Sequence, residues 1–149
     1  MLKFTINKWE KTRLVNKSLI SHLQKVCVVI HKYVKLKQDC YFDVIIVSKK
    51  EIQKINAKFR KINKPTDVLS FALWDAKQSI KTPLLGEVYL CPEYIKDICN
   101  KEHKDFAYQF VLTFVHGLLH LCGFNHDNEK SKKLMFDAQN QITYEVFNA

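Results

Sequence analysis

The sequence predicts one α/β (α+β) domain, a small mixed β-sheet with helices packed on it. Three observations carry that reading. Strand patterns and helix patterns interleave along the chain. The 149 residues make about one domain, and 47% hydrophobic content is enough for a core without staples. Three glycines and three prolines, with no internal repeat or low-complexity tract, leave little room for a linker.

Residues 2–7 (LKFTIN) alternate weakly and read as a first strand. Over 15–36, Leu19, Ile20, Leu23, Val26, Cys27 and Ile30 recur at helical spacing. Residues 40–48 (CYFDVIIVS) are aromatic and β-branched, a buried strand. Ser48 and Glu51 then form a capping box that opens a helix over 49–61. Pro65 disfavours helical geometry at Lys64 and closes that segment. Residues 67–74 (DVLSFALW) and 84–91 (LLGEVYLC) read as two further strands, a hairpin with a long loop at 75–83. Pro92 suits the first turn of a helix over 92–101. A longer, mostly apolar helix runs over 105–122, with Gly123 fitted to a left-handed end. Leu134, Ala138 and Ile142 mark a last amphipathic helix.

Five cysteines, an odd number with no C-x-x-C pair, point to a reduced compartment. The longest nearly apolar run, 110–124, is too short to span a bilayer and carries two histidines. No basic stretch followed by an apolar segment opens the chain. A cytoplasmic protein without a membrane role is expected.

Net charge is +9, unevenly placed. Residues 1–40 carry nine Lys/Arg against two Asp/Glu, residues 49–64 seven against one, and residues 101–149 five against six. A basic face suits a polyanionic partner, most often nucleic acid. The alternative is a lysine-rich background, since 22 of the 24 basic residues are lysine.

The stretch HGLLHLCGFNHD (116–127) carries the chemistry. His116 and His120 lie at i and i+4, on one side of a helix that is apolar all round and so buried. Unsatisfied imidazoles there would cost about 1–3 kcal/mol each. After Gly123 the chain can turn and return His126 as a third ligand. Three neutral imidazoles plus an open position form a catalytic zinc arrangement, one ion completed by water or substrate. The alternative is a pair of core histidines satisfied by backbone carbonyls. Cys122 reads as core, and His22, His31 and His103, without ligand spacing, as surface residues.

The same spacing occurs in the zinc-protease motif HExxHxxGxxH. There a glutamate beside the first histidine acts as base; here that position is Gly117. Peptide hydrolysis by that route is disfavoured. A mid-helix glycine also costs about 1 kcal/mol relative to alanine, so close approach of a packing helix or a substrate backbone is expected.

Arg60 is one of two arginines, with Arg13. A guanidinium binds phosphate with a two-pronged fork that lysine lacks. The alternative is an exposed residue near a helix C-terminal dipole.

Three blocks resemble one family, the YbeY endoribonucleases or rRNA maturation factors. They are Asn56 and Arg60 leading into KPTDVLSF (64–71), then LLGEVYLCPE (84–93), then HGLLHLCGFNHD (116–127). Met135 also falls where the family usually has methionine. The match runs from about Val44 to Met135. The resemblance implies a zincin-like fold around the metal, zinc on His116, His120 and His126, and a functional arginine at Arg60. It implies metal-dependent cleavage of single-stranded RNA, in 3′-end maturation of small-subunit rRNA and in ribosome quality control. Its partners would be rRNA, with ribosomal proteins and an assembly GTPase as further candidates. Residues 1–149 would form one such domain. Two positions depart from the family pattern: Asn125 stands where Asp is usual, and Gln139 where Glu is frequent.

On this reading Arg60 stabilises charge on the phosphate. Ser70, Phe71 and Lys64 are candidates for substrate binding, and Asn125 and Asp127 for positioning the ligands. Asp67, Glu87 and Asp127 are carboxylates near the motifs, each equally a turn, strand-edge or loop residue, and none is assigned as general base. Two rival functions stay open: a ribosome-assembly factor that binds rRNA around a structural zinc, and a metal-dependent hydrolase of another substrate.

Overall fold

The computed structural model describes residues 1–8, 12–74 and 83–148. In chain order the elements are β1 (Leu2–Lys8), α1 (Lys17–Val34), β2 (Cys40–Ile46), α2 (Lys49–Arg60), β3 (Val68–Ala72), β4 (Leu84–Leu90), α3 (Pro92–Glu102), α4 (Phe106–Leu121) and α5 (Glu129–Asn148). The sheet is mixed, in the order β1-β2-β4-β3. β1 and β2 are parallel, as are β2 and β4, and β3 runs antiparallel to β4. This is the single α+β domain the patterns predict. The loop expected at 75–83 falls mostly on residues 75–82, outside the described residues.

Capping residues set the element ends. Asn16 Oδ1 accepts from the Leu19 amide at 2.9 Å, so α1 starts two residues later than its apolar periodicity. Ser48 Oγ accepts from the Glu51 amide at 3.2 Å and ends β2's run to open α2. Asp105 Oδ2 does the same for the Tyr108 amide at 2.9 Å, opening α4. Pro92 is the first residue of α3, where its missing N–H costs nothing.

The sheet separates two apolar clusters. Phe42, Val44 and Ile46 of β2 pack with buried residues of α1, α4 and α5. Alternate residues Ile45 and Val47 face the other way, with Ile52 of α2, Leu69 and Cys91. Strand period 2 produces this division. The two lysine-rich segments therefore lie on opposite faces, α1 with the large cluster and α2 with the small one.

The helix α5 corrects one expectation. Its buried face is Met135, Ala138, Gln139, Ile142, Thr143 and Val146, whereas Leu134 is 57% exposed. At 3.6 residues per turn the stripe drifts through Met135 rather than Leu134. All five cysteines are free thiols; Cys27, Cys40, Cys91 and Cys99 are buried and Cys122 is half-buried. Among the described residues no helix is long and apolar enough to cross a membrane.

Two glycines are fixed by close approach. Gly86 has φ +137°, and a Cβ there would lie 2.1 Å from the Phe71 carbonyl oxygen. It sits in the stretch where the β2–β4 register shifts, the place of a β-bulge. Gly117 lets α4 lie directly on the sheet. A Cβ there would meet Val68 Cγ2 at 2.9 Å, Ser70 Oγ at 3.0 Å and Val88 Cγ1 at 3.0 Å. Ser70 Oγ donates to the Gly117 carbonyl at 2.9 Å, so the contact is bonded as well as tight. The close approach expected at Gly117 is thus a helix on a sheet. Any longer side chain at that position faces β3 and β4. The Gly117→Ala variant should gain about 1 kcal/mol of helix propensity and lose more to overpacking, a net loss of about 1–2 kcal/mol and a few degrees in Tm, read by thermal unfolding.

Candidate metal centre

The contact at Gly117 places the C-terminal half of α4 over β3. His116 and His120 project from that half on one face. At the helix end the Gly123 amide donates to the His120 carbonyl at 3.1 Å and the Phe124 amide to the Leu119 carbonyl at 3.0 Å. Gly123 takes φ +99°, the positive value expected of it, and the chain turns back. His126 returns beside the helix. Its ring centroid is 5.1 Å from that of His120 and 6.0 Å from that of His116.

One ligand nitrogen from each of the three histidines lies within 4.8 Å of the other two, so the group could hold a metal ion. His120 Nδ1 donates to the Phe124 carbonyl at 3.0 Å. A carbonyl only accepts, so this nitrogen carries the proton and Nε2 offers a lone pair. His116 Nδ1 bonds Gln139 Oε1 at 2.8 Å and is fixed in the same tautomer. The two Nε2 atoms then face each other at 3.3 Å. Neutral acceptors that close repel unless a cation lies between them. A tetrahedral zinc about 2.0–2.1 Å from each nitrogen requires an N···N separation of roughly 3.3–3.4 Å. The His116–His120 pair matches that spacing, and His126 lies within reach of both.

Electrostatics favour the same state. Burial first, then the neighbouring His116 and His126, lowers the His120 pKa from 6.5 to about 4, and Arg60 adds to the lowering. Burial pushes the Cys122 thiol up to about 12 and keeps it protonated. Cys122 packs on the core, as expected, and is no part of the histidine group.

The other sequence candidates divide. Arg60 lines a cleft of about 520 Å³ together with all three histidines, Val68, Leu69, Ser70 and Ala72. Its Nη2 donates to the Ser70 carbonyl at 2.7 Å, and its guanidinium carbon lies 5.0 Å from the centre of the Phe71 ring. Ser70 lines the cleft, but its hydroxyl is engaged by Gly117. Phe71 is outside the cleft wall and braces Arg60. Lys64 is exposed, and its carbonyl accepts from Asn56 Nδ2 at 2.9 Å, which fixes the turn between α2 and β3. Asn125 Oδ1 accepts from the Asp127 amide at 3.2 Å, a local turn that brackets His126; both residues are exposed or half-exposed.

The three carboxylates show mostly local contacts. Asp67 Oδ1 accepts from the Val68 amide at 2.7 Å, and the residue borders a smaller cavity of about 230 Å³ shared with His116 and Gln139. Glu87 accepts from the Tyr89 hydroxyl at 2.8 Å. Of the remaining histidines, His103 is exposed as expected. His22 and His31 are half-buried instead; His22 stacks on Phe147 with centroids 4.7 Å apart. Sequence reasoning missed the Phe124 carbonyl, which has no side-chain signature, and the cleft walls Val68, Leu69 and Ala72.

The family model described as Endoribonuclease YbeY matches residues 4–146. The chain belongs to the YbeY family. It is 36% identical over 141 residues to the Endoribonuclease YbeY of Malacoplasma penetrans, across 93% of this chain and 92% of that protein. It is 32% identical over 143 residues to the Endoribonuclease YbeY of Staphylococcus carnosus, across 93% and 94%. The solution structure of a Thermotoga maritima protein superposes with TM-score 0.64 at 28% identity, covering 99% of this chain and 89% of that one. Two of the three motif blocks that suggested YbeY, 56–71 and 116–127, supply the residues that line the cleft, Ala72 apart.

The lowered His120 pKa sets a pH dependence. The unfolded chain takes up a proton near 6.5, and the folded chain resists until about 4. The unfolded state therefore binds more protons across that window, and stability falls as pH drops from 6.5 towards 4. Urea unfolding of metal-free protein should show that loss. In the His120→Gln variant the fall over the same window should be shallower; equal slopes would remove His120 as its source.

Proposed function

We propose that this chain, as one domain over residues 1–149, hydrolyses phosphodiester bonds of single-stranded RNA at a zinc ion held by His116, His120 and His126. The observation that carries the reading is convergence: one cleft, in a YbeY-family chain, is lined by the three histidines and by Arg60. When bound, such an ion supplies a Lewis acid for phosphate and lowers the pKa of a water it holds. The three ligands leave a fourth position open, which a structural zinc closed by four protein ligands would not.

The chain's own residues do the rest. Gln139 and the Phe124 carbonyl hold two imidazoles in the tautomer that exposes Nε2. Arg60 contributes a fixed positive fork. One of its five N–H donors goes to Ser70, and the others remain for phosphate oxygens. Because the fork is set before substrate arrives, it stabilises developing charge without reorganising. Ser70, Phe71 and Lys64 support substrate binding through that arm and its turn. Asn125 and Asp127 hold His126. Gln139 keeps the hydrogen bond that a glutamate would make but brings no negative charge, which predicts weaker metal retention than a carboxylate would give.

The wider setting follows from the same reading. The substrate is small-subunit rRNA, matured at its 3′ end, with ribosomal proteins and an assembly GTPase as partners in the cytoplasm. The lysines of α2, on the face of the sheet beside Arg60, track the RNA backbone.

Three outcomes test this. Purified protein should cut an end-labelled small-subunit rRNA fragment, chelation should stop it and zinc should restore it. His120→Ala should abolish cutting, and Arg60→Ala should lower kcat/KM by about 10²–10³ while both remain folded. If all three proteins cut alike, the activity comes from a contaminant and the rRNA-binding factor takes precedence. RNA affinity should also fall steeply with salt, with a log–log slope of about −0.7 for each phosphate contacted.

A further inference from the structure

We propose that Phe59 is a stacking platform for one base of the single-stranded RNA whose phosphate is held at Arg60. The inference rests on the RNA-binding part of the reading above and adds to it a residue that selects unpaired strand.

Phe59 is 56% exposed, although the two other large apolar residues of its helix are covered, Ile52 fully and Ile55 in part. Its ring meets Phe71 edge to face, with centroids 5.3 Å apart and planes at 66°. Phe71 in turn meets Tyr89 at 5.6 Å and 87°. Phe71 and Tyr89 are packed against the small cluster, so Phe59 is braced on one side while more than half of the residue stays exposed. That arrangement gives a fixed orientation at little entropy cost, and an open aromatic surface.

The charges around it match a nucleotide. Lys58 Nζ lies 5.2 Å from the centre of the Phe59 ring. The guanidinium of Arg60 covers Phe71, the very next ring. An exposed aromatic flanked in sequence by two cations, one of them lining the cleft, suits a base on the ring and phosphates on either side. Only one ring separates Phe59 from Arg60, so the stacked base lies within a nucleotide's reach of the phosphate in the cleft. A paired base in a duplex is already stacked on both faces and cannot use the platform. Any base has a π face, so the site discriminates strandedness rather than sequence.

The test compares wild type, Phe59→Leu and Phe59→Tyr. Leucine keeps apolar contact with Phe71 but has no aromatic face; tyrosine restores one. Fluorescence anisotropy with a labelled single-stranded oligoribonucleotide reads affinity, and cleavage of the same oligonucleotide is followed separately. Phe59→Leu should weaken single-strand binding about tenfold and Phe59→Tyr should stay within about twofold of wild type, while duplex binding is the same for all three. Equal single-strand affinity of Phe59→Leu and wild type overturns the proposal. So does failure of tyrosine to restore it, or an equal loss on duplex. If wild type binds but does not cleave, the endoribonuclease reading fails while the binding series still decides the platform. If wild type binds no RNA, both fall.

Discussion

The approach of α4 to the sheet at Gly117 is the constraint on which the site depends. A helix carrying a Cβ at that position would stand off from Val68, Ser70 and Val88. The histidines would move away from β3 and from Arg60, which is itself tied to β3. One missing methyl group thus brings the helix that carries the histidines and the Arg60 arm to a common cleft. It also answers why the protease glutamate is absent. The position faces the sheet, where a carboxylate would be buried without a partner and would cost several kcal/mol.

The second determinant is the state of the imidazoles. Burial and mutual repulsion keep His120 neutral, and two hydrogen bonds fix which nitrogen carries the proton. His120 held this way spends no proton-release free energy near neutral pH when a cation arrives, because its lone pair is already exposed.

Much of this was legible in the sequence because the signals were local. The H-x-x-x-H spacing, the glycine after it and the third histidine mark the histidine group without reference to the rest of the chain. Ser48 and Pro92 mark helix starts by side-chain chemistry alone. What escaped was set at long range. The role of Gly117 depends on Val68 and Val88, and the acceptor for His120 is a backbone carbonyl with no residue type to announce it. The edge of the α5 stripe was misjudged at Leu134 because two neighbouring apolar residues compete for one face, and packing against α4 decides between them. The lysine segments looked like one basic surface in the sequence, yet the sheet lies between α1 and α2.

Arg60 has a further consequence through the strand it touches. β3 is an outer strand, and Cys91 and Leu73 show by their bonds to Asp67 and Leu85 which of its residues pair with β4. By alternation, Val68, Ser70 and Ala72 turn their peptide groups outward. An outward peptide row is a template for a foreign strand. The Asp67 carboxylate covers the Val68 amide, and Arg60 covers the Ser70 carbonyl. The arginine side chain therefore occupies part of that open edge. One residue thus both covers an open strand edge and lines the cleft.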